Sequence, residues 1–255
     1  MTWGRRLGEN NGVLDQTAAS SSHSLHAPRS TSSFVRGLSA RIPPPRIRTG
    51  LVDLDLLLDG GLPRGIVTEI VGAQSSGRTT LACALAAAVT SAGDFAACID
   101  LADAFDPTQG NMAGIDLGRL LWIRPRGLRS ALQAAEQVVD TGGFSFVFVD
   151  LDAPCEARFV VPAGAWVRLT RAAARNCSAV LVLGARGAAG GEDQNRSTMG
   201  TFAALRLETT RRHVRFTGSA GPCPLFDGIT SAIHLRKNKL GPLGATAALF
   251  AMAVT

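Results

Sequence analysis

The sequence predicts an α/β fold with a mainly parallel central sheet and an antiparallel C-terminal extension. First, short apolar runs alternate with segments of helical spacing between residues 65 and 183. Second, a glycine-rich loop, residues 72–79, joins the first apolar run to a long apolar segment. Third, the last part of the chain contains β-prone runs separated only by turns. Alternation of this kind is typical of a parallel sheet covered by helices on both faces.

The predicted elements can be followed along the chain. A short helix over residues 51–58 stops at Gly60-Gly61, and the β-branched run 65–71 predicts the first strand. The apolar residues 79–92 predict a helix buried beside the sheet. Further strands are predicted at 95–100, 144–150 and 179–183, with helices around 128–139 and 163–176. The antiparallel strands are predicted at 206–216, 231–236 and 246–254, and Trp122 and Trp166 are expected in the core.

Composition divides the chain of 255 residues into a tail and one folded domain. Residues 1–47 are predicted to form a flexible basic tail with a Pro-rich linker, and residues 48–255 the core domain. Hydrophobic residues make up 46% of the chain, which is enough for a sizeable core. The net charge of +6 allows a polyanionic partner, although part of the excess lies in the tail.

The cysteines and the hydropathy pattern narrow the class of protein. The five cysteines are scattered and form no CxxC pair, which indicates reduced thiols and not disulfides or a zinc site. No stretch reaches about 18 apolar residues without a charge, so no membrane span is expected. We therefore expect a cytoplasmic protein without a membrane partner.

The glycine-rich loop is a phosphate-binding loop (P-loop) with one departure. The pattern requires glycine, four residues, glycine, lysine and then serine or threonine, and only Arg78 differs from it. Glycines allow backbone N–H groups to surround phosphate oxygens, and the following helix directs its positive end at the same anion. Arginine keeps the charge but is longer, planar and forked. The loop predicts an ATP site formed by Gly72, Gln74, Ser75, Ser76, Gly77, Arg78, Thr79 and Thr80.

A magnesium site is predicted from two of the oxygen-bearing side chains. The Thr79 hydroxyl occupies the position that binds the nucleotide's Mg²⁺ in such loops. Asp150 ends the apolar strand 144–150, where an acid can hold Mg²⁺ through a water. The alternative is that Asp150 is a strand-end aspartate that caps a turn.

A series of segments resembles the bacterial RecA recombinases over about residues 48–253. The matching segments are Thr49-Gly50 to Asp55, Gly61 to Gly65, the P-loop, Cys98-Ile-Asp100, Ala104-Phe-Asp106-Pro107, Gly114 to Asp116 and Arg236 to Lys239 with Pro242. The resemblance implies a RecA-like P-loop core in a bacterial cytoplasmic protein. It also implies nucleotide contacts by Asp106, and by Lys237 and Lys239 across a subunit interface in a homo-oligomer.

Several positions depart from the RecA pattern. Where RecA has the glutamate that orients the attacking water, this chain has Ala102, and the adjacent Asp103 is the weak catalytic candidate. Gln109 stands where RecA stacks a tyrosine on adenine, and the chain contains no tyrosine. Gly184-Ala185 replaces the asparagine-glutamine pair that senses the γ-phosphate in RecA. These changes predict weak or no hydrolysis of ATP.

Two basic segments are candidates for contact with single-stranded DNA. Arg186 and Arg196 lie in the Gly-rich segment 184–200, and Arg211 and Arg212 lie in a basic strand. Flexible basic segments can follow the phosphates of single-stranded DNA without reading its sequence. The alternatives are an ordinary solvated loop and a solvated strand face.

Two functions remain open from the sequence. The combination of a RecA core with altered catalytic positions is similar to the ImuA group of RecA-like accessory proteins. That group implies work in damage-induced translesion synthesis beside an error-prone polymerase or its accessory subunit, or beside RecA itself. The alternative is a divergent DNA-dependent ATPase or recombinase that forms filaments on single-stranded DNA, with Arg78 in the role of the lysine.

Overall fold

The structure is a computed structural model and describes residues 43–151, 161–185, 199–217, 225–243 and 246–252. These residues lie in a compact unit that begins at Pro43. Residues 1–42 of the predicted tail, together with Arg186 and Arg196, lie outside the described residues. No helix in the described part of the chain has the length and apolar character needed to cross a membrane.

The elements agree closely with the expected alternation. The strands are β1 (Arg46–Ile47), β2 (Leu62–Pro63), β3 (Val67–Gly72), β4 (Phe95–Asp100), β5 (Leu120–Ile123), β6 (Phe144–Asp150), β7 (Ala179–Ala185), β8 (Leu205–Thr217), β9 (Leu225–Asn238) and β10 (Thr246–Met252). The α-helices are α1 (Val52–Leu57), α2 (Arg78–Ser91), α3 (Pro107–Met112), α4 (Leu128–Thr141) and α5 (Ala163–Asn176). The strand β1, which pairs with β2, includes Arg46 and Ile47 from the segment that was expected to be a linker.

The main sheet of the described residues has the strand order β10-β9-β8-β3-β7-β6-β4-β5. The six strands β8, β3, β7, β6, β4 and β5 run parallel to one another. The antiparallel extension consists of β9 against β8 and β10 against β9. This confirms the predicted α/β fold, a mainly parallel sheet with an antiparallel C-terminal extension.

Alternate residues of the central strands pack on opposite faces of the sheet. Phe146 and Phe148 belong to a core cluster with α2, whereas Val147 and Val149 belong to a second cluster with α4 and α5. Both faces are apolar because helices cover both. Trp166 of α5 is 2% exposed, which confirms it as a core residue. The covered sheet leaves the carboxyl ends of its parallel strands as the edge where a polar site can form.

Candidate nucleotide site

The register of the sheet brings the carboxyl ends of the neighbouring strands β3, β7, β6 and β4 to within two residues of one level. Gly72 is opposite Ala185 on one side and Thr209 on the other. Asp100 is opposite Asp150 on the adjacent strands β4 and β6. The P-loop and both strand-end acids therefore lie along the same edge of the sheet, as expected for a ligand site in a parallel α/β fold.

The P-loop has backbone geometry suited to an anion. Gly77 precedes α2 in the left-handed region, with φ of 94°, and Ser75 is left-handed as well, with φ of 58°. No side chain of the described residues caps the start of α2, so its first N–H groups point at the loop. Gln74, Ser75 and Thr80 are exposed and Thr79 is half-buried. These features fit the phosphates of a nucleotide, held by backbone N–H groups and the helix N-terminus.

Arg78 is oriented toward the sheet. Its side chain is buried, with 8% of the residue exposed, and its Nη1 donates a hydrogen bond of 2.7 Å to the carbonyl oxygen of Gly184. Gly184 belongs to β7, the neighbour of β3. Arg78, which is predicted to contact phosphate, is thus hydrogen-bonded to the backbone near the end of β7. The sequence indicated the charge of Arg78 but not this contact.

Ser76 is held by a residue far away in the chain. Its Oγ lies 2.6 Å from Oγ1 of Thr209 on β8, and both residues are 1% exposed. A β-carbon on Gly72 would lie 2.3 Å from Thr209 Oγ1 and 2.5 Å from Ser76 Oγ. Only glycine fits at position 72, because the two hydroxyl groups occupy the space that a side chain would need. Thr209 was not among the predicted site residues, and no local pattern marks it.

Asp100 organises the loop that follows β4. Its carboxylate, which is buried, accepts hydrogen bonds from the backbone N–H groups of Ala104 and Phe105, both at 3.0 Å. It also accepts a hydrogen bond of 3.2 Å from Nε1 of Trp122 on β5. The indole is half-buried and contacts the ring of Phe105 edge to face at 5.4 Å. Trp122 was expected to be a core residue, and it also has this polar role.

Asp103, the weak catalytic candidate, is paired with a cation. Arg124 Nη1 lies 3.6 Å from Asp103 Oδ1, and the Arg124 guanidinium is 4.6 Å from the centre of the Trp122 ring. Asp103 is left-handed, with φ of 51°, an unusual conformation for aspartate that a neighbouring polar group can stabilise. The carboxylate of Asp103 is therefore directed to Arg124, and neither Trp122 nor Arg124 was among the predicted site residues.

Asp106 and Asp150 occupy different positions. Asp106 is the N-cap of α3 and accepts hydrogen bonds from the N–H groups of Thr108 and Gln109. Capping explains an aspartate before Pro107 without reference to a ligand. Asp150 ends β6 and is buried, with 5% exposed. Together with the half-buried Thr79, Asp150 provides the oxygen atoms that Mg²⁺ prefers.

Two thiols, of the half-buried Cys83 and the buried Cys98, lie near this edge of the sheet. Burial, and then the charges of Asp150 and Asp100, raise the pKa of the Cys83 thiol from 9.0 to about 11. The pKa of Cys98 on β4 is raised as well, first by burial and then by Asp100. The effect of both carboxylates on Cys83 indicates that the two acids and α2 are close together.

Lys237 and Lys239 are at the other end of the strands. Lys237 is opposite Arg206, and Arg206 is opposite Glu69, three residues before Gly72. At about 3.3 Å per residue this is roughly 10 Å from the P-loop. Lys237 Nζ donates to the carbonyl of Gly200 at 3.0 Å, and Lys239 Nζ donates to that of Thr201 at 2.6 Å. The structure does not bring these lysines to the nucleotide edge of the same chain.

Arg211 and Arg212 lie on the part of β8 that extends beyond the parallel strands as an antiparallel ribbon with β9, which in turn pairs with β10. Beyond Thr209 the strand β8 pairs with β9 and no longer with β3, and residues 211–216 are all exposed. The ribbon begins two residues after Thr209, so it starts at the same edge as the P-loop. This geometry leaves the side chains of both arginines accessible to a polyanion.

Comparison with known proteins gives the family context of this site. The family model of the RecA N-terminal domain matches residues 37–160. Protein RecA of Gloeothece citriformis is 33% identical over 229 residues, which cover 81% of this chain and 63% of that protein. Protein RecA of Crocosphaera subtropica is 43% identical over 114 residues, covering 45% of this chain and 33% of that protein. The chain thus spans less than two thirds of the length of these relatives.

A solved structure shows a similar fold. The crystal structure of the RadB recombinase is similar with a TM-score of 0.61 and 21% identity, covering 79% of this chain and 94% of that one. The chain therefore has the fold of the RecA-family recombinases, and its sequence is similar to that of protein RecA.

Proposed function

We propose that this chain is a RecA-like accessory protein of damage-induced translesion synthesis that binds ATP and Mg²⁺ with weak or no hydrolysis. The observation that carries the proposal is the contrast between the two parts of the site. The P-loop has anion-binding backbone geometry, whereas position 102 is alanine and the adjacent Asp103 is paired with Arg124. ATP binding does not require ATP hydrolysis, because the P-loop can hold the phosphates without a base that activates water.

The ligand would be held by the P-loop. The backbone N–H groups of residues 72–80 and Arg78 would contact the phosphates, and Thr79 and Asp150 would hold Mg²⁺. Bound Mg²⁺ would neutralise phosphate charge and orient the phosphate oxygens. Arg78 would divide its hydrogen bonds between phosphate and the Gly184 carbonyl, since its guanidinium carries several donors.

The test is turnover of ATP by the purified full chain, with and without single-stranded DNA, beside a nucleotide-binding titration. We expect binding with little hydrolysis and no stimulation by DNA. Hydrolysis that DNA stimulates to the rate of a RecA measured in parallel would contradict the proposal. The partner is tested by mixing the chain with an error-prone polymerase, its accessory subunit or RecA and measuring complex formation.

One observation favours the second candidate, a divergent recombinase that assembles on single-stranded DNA. Lys237 lies opposite Arg206 on the neighbouring strand, and burial and then the charges of Lys239 and Arg206 lower the pKa of Lys237 against the opposing effect of Glu69. Such crowding of cations would be relieved by an anion from another molecule, for example a nucleotide bound by a second copy. This function requires filaments in the presence of ATP and single-stranded DNA, and a chain that stays monomeric in that mixture excludes it.

A further inference from the structure

Thr209 contacts the P-loop from a strand that is distant in sequence. Its Oγ1 lies 3.4 Å from the carbonyl oxygen of Val71, to which it donates, and 2.6 Å from Ser76 Oγ. Because the Thr209 hydroxyl has one proton, the Ser76 hydroxyl donates to Thr209 when Thr209 donates to Val71. The hydroxyl groups thus link the loop to the end of β3 through β8.

The link holds the loop at its buried point. Ser76 is 1% exposed, whereas Ala73, Gln74 and Ser75 on the same loop are exposed. The Ser76 N–H also donates to the Ala73 carbonyl at 3.2 Å, which closes the turn. A tether at Ser76 therefore constrains both this turn and the left-handed Gly77 that follows it.

Thr210 provides a natural comparison on the same strand. Successive side chains of a strand point to opposite faces, so Thr210 points away from the loop. Its Oγ1 lies 3.4 Å from Nε2 of His234 on β9. The two threonines share residue type and strand but contact different parts of the molecule.

We infer that Thr209 is a positioning residue that holds the P-loop in its anion-binding conformation through the Ser76 hydroxyl. The inference rests on the proposed nucleotide site. The exposed basic ribbon begins two residues beyond Thr209 on the same strand.

The experiment compares Thr209→Val, Thr209→Ser and Thr210→Val in the full chain. Amide hydrogen exchange of residues 72–80 is measured without nucleotide, and the affinity for ATP with Mg²⁺ is measured by titration. Loss of one hydrogen bond predicts about 3- to 10-fold faster loop exchange and a similar loss of affinity in Thr209→Val. Thr209→Ser keeps the hydroxyl and is expected to restore both values, and Thr210→Val is expected to leave both unchanged.

A loop exchange rate in Thr209→Val equal to that in Thr210→Val overturns the inference. If Thr209→Val does not unfold cooperatively, Ser76→Ala removes the same bond from the other side, and unchanged loop exchange in that variant also overturns it. With both variants folded, their effects on loop exchange should not add, because they break one interaction. Additive effects count against the link.

The outcomes separate this inference from the proposed function. A wild-type chain that binds no ATP contradicts the proposed function, while loop exchange without nucleotide still decides the role of Thr209. A chain that binds ATP equally well in all variants with unchanged loop exchange supports the proposed function and rejects the inference.

Discussion

Arg78 and Gly184 are joined by a hydrogen bond of 2.7 Å between the guanidinium Nη1 and the backbone carbonyl oxygen. The arginine of the P-loop is thereby attached to the end of β7, where the resemblance to RecA predicted the loss of a polar pair. A forked guanidinium can hold a carbonyl and an anion in one plane, whereas an ammonium is a compact charge on a flexible stem. The contact explains how the loop accommodates arginine and keeps its charge at the nucleotide edge.

Substitutions at residues 102 and 103, which follow β4, test which carboxylate can support ATP hydrolysis. Ala102→Glu is expected to raise the rate of ATP hydrolysis by about 10- to 100-fold. The substitution introduces a carboxylate at the position where RecA has the glutamate that orients the attacking water. Asp103→Asn is expected to leave hydrolysis unchanged, because Asp103 is paired with Arg124. Steady-state phosphate release measures both. A large loss of turnover in Asp103→Asn would identify Asp103 as the base.

The hydrogen bonds accepted by the Asp100 carboxylate are expected to contribute to the free energy of unfolding. Asp100→Asn is expected to lower the free energy of unfolding by about 2 kcal/mol, because an amide nitrogen would face a donor in place of an oxygen. Trp122→Phe removes one donor and is expected to cost about 1 kcal/mol. Urea unfolding measures both changes. Equal stability of wild type and Asp100→Asn would mean that the loop of residues 101–106 does not depend on this carboxylate.

Lys237 and Lys239 are expected not to contribute to ATP binding by their own chain. The double variant Lys237→Ala, Lys239→Ala is expected to keep the ATP affinity of the monomer, because both side chains contact the turn at 200–201. The free energy of unfolding should fall by less than about 1 kcal/mol, since exposed contacts of charged groups contribute little. ATP titration at concentrations where the chain is monomeric provides the measurement. A strong loss of affinity there would show contact with nucleotide in the same chain.

The raised pKa of Cys83 predicts sensitivity to alkaline pH. The folded-state pKa of about 11 lies above the unfolded value of 9.0, so the folded state retains its proton while the unfolded state loses it. The stabilisation from this thiol is complete below pH 9 and is lost as the pH rises toward 11. Urea unfolding of wild type and Cys83→Ala should therefore diverge least at high pH. A stability difference that stays constant from pH 7 to pH 11 would contradict the effect.

The local patterns predicted most of the fold, because they depend on periodicity within one element. Strand β4 was predicted with its observed bounds, and α2 differs by one residue at each end. The short strand β5 was not predicted as a strand. Its four residues show no clear alternation, and its place is set by pairing with β4.

The chemistry of the candidate site was less predictable from sequence. The P-loop is local, so its residues could be named, and their roles toward ATP and Mg²⁺ stay predictions. The contacts of Ser76 with Thr209 and of Arg78 with Gly184 join residues 133 and 106 positions apart. Such contacts depend on the order and register of the strands, which no single-sequence pattern contains.

The direct measurement of the central claim is the affinity for ATP, with and without Mg²⁺, of wild type, Arg78→Lys and Arg78→Ala, with turnover measured on the same samples. We predict Mg²⁺-dependent binding by wild type, similar binding by Arg78→Lys and at least about tenfold weaker binding by Arg78→Ala, since a charged hydrogen bond is lost. Turnover should stay low in all three, because residue 102 remains alanine. Equal affinities in all three proteins, no binding by wild type, or rapid turnover by Arg78→Lys would contradict the account.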